Sequence, residues 1–113
     1  MAMKRKLAEL KNRLDQATGS NAAIDREIAA SMDVLPEGHG WPAYTSSIDD
    51  CLALIGRRLP EWHWHVGHGP DGVLPYAALT RGSGDDGDVR IETSAPTVPL
   101  ALLRAGVRAL ARH

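Results

Sequence analysis

The sequence is short of most features that would announce a function. It has one cysteine, Cys51, which excludes an intramolecular disulfide and suits a reducing compartment. It has no dominant charge: 13 Lys and Arg stand against 14 Asp and Glu. Bulk electrostatics therefore point neither to a nucleic-acid coat nor to a mimic of DNA. The opening "MAMKRKLAELKNRL" lacks the apolar stretch of a signal peptide, and no apolar run approaches the ~20 residues that span a bilayer. A soluble cytoplasmic protein is the expectation. The recognised catalytic signatures are missing as well, with no GxSxG, P-loop, HExxH or CxxC.

What is present fits one domain over residues 1–113. Hydrophobic residues at 43% and charged residues at 24% are ordinary for a globular protein. A chain of this size buries roughly two-thirds of its unfolded surface, enough for one core.

Leu7, Leu10, Leu14 and Ala17 form a narrow apolar stripe on a first helix over about residues 4–17. Gly19 in "TGSN" is placed to close it in the left-handed conformation. Ser20 or Asn21 caps a second helix to about Ala30, with Ile24 and Ile28 on one side. "MDVLPEGHGWPAY" (32–44) reads as a loop held by Trp41 and Tyr44. "TSSIDD" starts a third helix, with Ser46 three residues before Asp49 and Ser47 three before Asp50. Its buried face is expected to be Ile48, Cys51, Leu52, Ile55 and Leu59, and Pro60 stops it. Three strands follow. "EWHWHV" alternates, with Trp62, Trp64 and Val66 on one face and His63 and His65 on the other. "VLPYAALT" carries Pro75, which suggests an edge position or a bulge. "VRIET" turns Val89 and Ile91 inward. Pro96 and Pro99 open a last helix with Leu100, Leu103, Val107 and Leu110 as its buried stripe. The order predicts an α+β fold, an antiparallel three-stranded meander packed with about four helices, lying on both faces of the sheet or all on one.

The sharpest chemical candidate is His63, His65 and His68. Histidines two apart on a strand share a face, and a third from the following turn would complete a zinc site for a metal-stabilised domain or a hydrolase. The competing reading makes the tryptophans core and the histidines the wetter face, and it is preferred. The connector "GSGDDGDV" offers Asp85, Asp86 and Asp88 as oxygen ligands for a hard cation, but it lacks calcium-loop spacing and reads better as a polar hairpin tip. Arg104, Arg108 and Arg112, four apart, make a basic ridge on the last helix, near a C-terminus where the dipole favours cations. Cys51 falls on a buried helix face, where thiols are usually inert. No cofactor or metal is assigned, and no catalytic residue.

Three segments, "LKNRLDQATGSNAAIDREIA", "PAYTSSIDDCLALI" with "LPEWHWHV", and "APTVPLALLRAGVRALAR", together resemble the phage ABA-sandwich domain family, small proteins of bacteriophages and prophage-bearing bacteria. Tyr44, Thr45, Ser47, Ile48 and Asp49 fit its central-helix start, and Pro60, Trp62 and Trp64 its strand. The interleaved histidines are not part of that pattern, and "TVPLAL" stands where Thr-Pro-x-Leu-Ala-Leu is the family's form. The resemblance implies a three-layer α/β/α sandwich and a phage or prophage origin, and it implies no activity. With no catalytic constellation in view, the expectation is a non-enzymatic accessory protein in the host cytoplasm. It would bind a host protein complex, as an anti-CRISPR-type inhibitor of a CRISPR-Cas effector or another defence complex does, without touching nucleic acid or membrane. Arg81, Asp85, Asp86 and Asp88 on the connector, with Arg104, Arg108 and Arg112, are the expected contact residues. A small virion assembly protein is the alternative, self-associating through the leucine stripe of the first helix.

Overall fold

The computed structural model describes residues 2–31, 42–68, 75–82 and 89–112. They form α1 (Ala2–Gln16), α2 (Ala22–Ser31), α3 (Ile48–Arg58), β1 (His63–His68), β2 (Pro75–Arg81), β3 (Val89–Ser94) and α4 (Val98–Ala111). Among the described residues, four helices and one antiparallel sheet in the order β1-β2-β3 make an α+β fold. Trp41 lies outside the described residues. Tyr44, at the end of the same segment, is fully buried.

Local chemistry accounts for most of the boundaries. The Asn21 side chain accepts the N–H of Ile24 at 3.0 Å and starts α2. At α3 it is the second of the two candidate caps that forms. Ser47 Oγ accepts the N–H of Asp50, and the Asp50 carboxylate accepts the N–H of Ala43 at 2.9 Å, closing the turn that precedes the helix. Ser46 sits within that turn and donates to the Ala43 carbonyl. Thr97 caps α4 by accepting from Leu100, and Pro99 follows in the first turn, where its missing N–H costs nothing. Pro75 proves to be neither a bulge nor on an edge. It is the first residue of the central strand, so no ladder bond is lost, and its carbonyl accepts from Ala95 at 3.1 Å.

Two expectations need correcting. Gly19 does not enter the left-handed region, and α1 is closed from elsewhere in the chain, as set out below. On α3 the packed residues are Cys51, Leu54, Ile55 and Leu59, with Leu52 half-buried and Ile48 exposed. The stripe is centred nearer Leu54, and Ile48 in the first turn overhangs its end.

The core is organised around α4. Of the helices, it is α4 that packs against the sheet, chiefly on β2 and β3, while α1 and α3 pack on α4 in turn and α2 on α1. These contacts give the order sheet, α4, outer helices, and they do not establish an α/β/α sandwich. A helix covered on both sides is apolar nearly all round. Accordingly Ala101, Leu102, Ala105, Gly106 and Ala109 are buried along with the expected Leu100, Leu103 and Val107. Leu7, Leu10 and Leu14 of α1 are buried in this same core. The stripe expected to mediate self-assembly is thus already covered by the chain itself.

Two buried polar links fix the layers. Asp25 accepts from both the backbone N–H and the hydroxyl of Thr45, each at 2.8 Å, and Thr45 Oγ accepts the N–H of Asn21. The start of α2 is thereby tied to the turn before α3. Thr93 on β3 donates to the Ala101 carbonyl at 2.7 Å, joining sheet to helix through a satisfied buried hydroxyl.

Candidate functional site

The pairing register decides what the histidines can do. Trp64, Leu79 and Ile91 lie opposite one another across the sheet, as do Val66, Ala77 and Thr93, and this face turns toward α4. His63 with Thr80 and Arg90, and His65 with Ala78 and Glu92, lie on the other face. There His63, His65, Arg90, Glu92 and Ser94 are exposed. Because β1 continues through His68, strand parity sends that residue to the face opposite His63 and His65. The three-histidine site fails on this count. Among the described residues no group of three or more His, Cys, Asp or Glu is placed to hold a metal ion. His65 instead rests against the ring of Tyr76, with centroids 5.8 Å apart. Tyr76 also lies over Gly67, where an added Cβ would come within 3.1 Å of the ring.

The tryptophans divide. Trp62 is buried, as the alternation predicts, but Trp64 is 49% exposed. The cause is position in the sheet: β1 is an edge strand, and α4 lies mainly over β2 and β3. Trp64 points to the core side and overhangs it. The result is a large ring at the sheet edge, next to the polar face that carries His63 and His65.

The basic ridge is mostly committed within the chain. Arg104 donates through Nε to the Leu14 carbonyl at 2.9 Å, and through Nη2 to the carbonyls of Asp15 and Ala17. Its Nη1 donates to Ser94 at 2.7 Å. Arg108 donates to the Arg104 carbonyl and to the Asp15 carboxylate. Arg112 is exposed. Arg81 stands over the Trp62 ring, 5.2 Å from its centroid, a cation–π contact that fixes both side chains. Asp85, Asp86 and Asp88 lie outside the described residues, as does His39.

Cys51 is buried. Its thiol donates to the Tyr44 carbonyl at 3.0 Å, with the Pro99 carbonyl 3.6 Å away. Burial pushes the thiol far above its ordinary value, and the nearby Asp50 and Asp25 carboxylates push the same way. A thiol held protonated is a poor nucleophile. The native protein is therefore expected to resist an aromatic disulfide reagent at pH 8 and to react fully once denatured; rapid labelling of the folded protein would contradict this. The folded thiol keeps its proton while an unfolded one ionises, so folding should weaken as pH rises above 9.0, the ordinary value.

One arrangement carries no sequence signal beyond the helix-stopping Pro60. After α3 the chain turns tightly, with Leu59 N–H bonded to the Ile55 carbonyl and Trp62 N–H to the Leu59 carbonyl. Arg58, Leu59, Pro60, Glu61 and Trp62 there line a hollow of about 90 Å³.

Among the described residues no helix is long and apolar enough to cross a membrane. Comparison with protein-family models, with curated proteins and with solved structures finds no match to this chain.

Proposed function

We propose that the chain is a phage- or prophage-encoded accessory protein that works by binding a host protein complex, and that it inhibits a defence complex of the CRISPR-Cas effector type without catalysis of its own. The observation that carries the binding part is Trp64, a half-exposed tryptophan on an edge strand. Interface hot spots are enriched in tryptophan and arginine, and an edge strand offers unpaired backbone groups to a partner. The phage attribution rests on the segments that resemble the ABA-sandwich domain family.

The candidates for chemistry are otherwise engaged. Cys51 is buried and protonated, and His68 is on the opposite face from His63 and His65. The contact surface is accordingly drawn around Trp64, with Arg81 and the connector carboxylates Asp85, Asp86 and Asp88 beyond β2, and Arg112 at the end of α4. Arg104 and Arg108 support it from within. A near-neutral chain suits contact with protein better than imitation of DNA.

The test is affinity capture from host lysate with tagged wild type and Trp64→Ala, reading the bound proteins by mass spectrometry. The reading requires one defence complex near stoichiometric amount with wild type and at least about tenfold less with the variant, the size of a hot-spot loss. Equal recovery by both would remove Trp64 from the interface, and recovery of no complex by wild type would remove the inhibitor reading.

A further inference from the structure

Among the described residues, two hydrogen-bond donors at the α3–β1 corner have nothing to donate to. The indole Nε1–H of Trp62 and the Nε–H of Arg58 are both buried and both without a partner. Buried donors are nearly always satisfied, and the rare exceptions call for a cause such as an absent ion or ligand. Trp62 as a residue is 5% exposed, so its ring is held in place and is not a surface side chain that happens to lack a bond. Arg81 over the ring holds it further.

What singles out this pair is that both residues line one hollow, the pocket bounded by Arg58, Leu59, Pro60, Glu61 and Trp62. Its volume is about 90 Å³, and the two donor atoms lie sealed beneath its surface. Of its lining residues Leu59 is buried, and Pro60 and Glu61 are exposed. Glu61 is the nearest acceptor in sequence, yet neither donor bonds to it. Arg58 and Glu61 are the charged lining residues, and Arg81 adds a second cation over the Trp62 ring.

We propose that this hollow is a binding site for a carboxylate group, which enters by displacing the exposed Pro60–Glu61 segment and accepts from Arg58 Nε–H and Trp62 Nε1–H. A carboxylate offers two oxygens to two donors, and a charged acceptor strengthens both bonds. The apolar side of the hollow takes the carbon that carries it. This inference is separate from the partner reading, because the two donors are unsatisfied whichever macromolecule the protein meets.

Nitrogen-15 labelled, tag-free protein tests it directly, since indole and arginine side-chain N–H groups give resolved signals in proton–nitrogen correlation spectra. The probes are sodium acetate, sodium chloride at matched ionic strength, and a short blocked peptide containing glutamate beside its glutamine twin. The signals of Trp62 Nε1–H and Arg58 Nε–H are expected to move together and saturably with acetate or with the glutamate peptide. They should not move with chloride or the glutamine peptide. Acetate binding as well as the peptide identifies a small free carboxylate as sufficient; binding of the peptide alone identifies a carboxylate presented on a polypeptide. Arg58→Gln should weaken binding about tenfold or more, with the Trp64 indole signal unchanged as the check on folding. Should that variant fail to fold, Trp62→Phe keeps the aromatic packing and must weaken the response at Arg58 Nε–H. Absence of saturable shifts with both carboxylates, equal shifts with chloride, or undiminished binding in the variants would each overturn the site.

Discussion

Arg104→Ala is expected to lower the free energy of unfolding by about 2–3 kcal/mol, and the melting temperature by roughly 10–15 °C. The reason is what that guanidinium holds together. The last carbonyls of a helix have no partner within the helix, and at the end of α1 those of Leu14, Asp15 and Ala17 are met by Arg104, the first of them also accepting the Ala17 N–H. A further bond from the same group to Ser94 ties the end of β3 to the same point. Four donated bonds from a side chain only 14% exposed join β3 and α4 to α1 at the far end of the sequence. Removing the guanidinium leaves partly buried carbonyls for which water is an incomplete substitute. Arg104→Lys should recover less than half of the loss, because an ammonium lacks the planar fork that reaches several carbonyls at once. Arg108→Ala, which loses bonds to the Arg104 carbonyl and Asp15, should cost about 1 kcal/mol, and Arg112→Ala less than about 0.5. Urea unfolding of the four variants measures the series. Equal small effects at all three positions would mean that the arginines form a solvated ridge after all.

That ridge shows where the sequence was legible and where it was not. The spacing of Arg104, Arg108 and Arg112 correctly suggests cations near a helix C-terminus, where the dipole favours them. The terminus that Arg104 serves belongs to α1, about ninety residues away in sequence, and nothing in local spacing reports such a contact. For the same reason Gly19 looked like the stop for α1 when the stop is a side chain of α4. Features with local causes were readable. The caps Asn21 and Ser47, both among the sequence candidates, each bond a backbone N–H three residues on, as does Thr97, which the prolines around it overshadowed, and the inward Val89 and Ile91 follow strand parity. The candidate site failed at points set by the sheet. Alternation put Trp62 and Trp64 on one face, but only the placement of β1 at the edge explains why one is covered and the other overhangs. The metal reading failed over two residues of strand length, which moved His68 across the sheet. The hollow between Arg58 and Trp62 depends on a turn whose closure no residue pattern specifies.

Leu102→Ala is expected to cost about 3 kcal/mol, as large as a loss from the recognised stripe of α4. Periodicity alone assigns the burial of α4 to Leu100, Leu103, Val107 and Leu110, and a helix with that one stripe would leave Leu102 near the surface. In the folded chain Leu102 is fully buried, because α4 has the sheet on one side and α1 and α3 on the other. The small residues make this possible. Ala101, Ala105 and Ala109 recur every four positions and fall on one side of the helix, and all three are fully buried. Small side chains let neighbouring elements approach closely, and the bond from Thr93 to the Ala101 carbonyl at 2.7 Å shows how near β3 comes. Enlarging the line should therefore be harmful as well. Ala105→Leu is expected to destabilise by about 1–3 kcal/mol through overpacking, although leucine is as good a helix former as the position requires. Chemical unfolding separates the two pictures. A helix buried on one face predicts a large loss for Leu103→Ala and nearly none for Leu102→Ala or Ala105→Leu, whereas a helix at the centre of the fold predicts substantial losses for all three. Loss at Leu103 alone would detach either the sheet or the outer helices from α4, and the order of layers described above would fall with it.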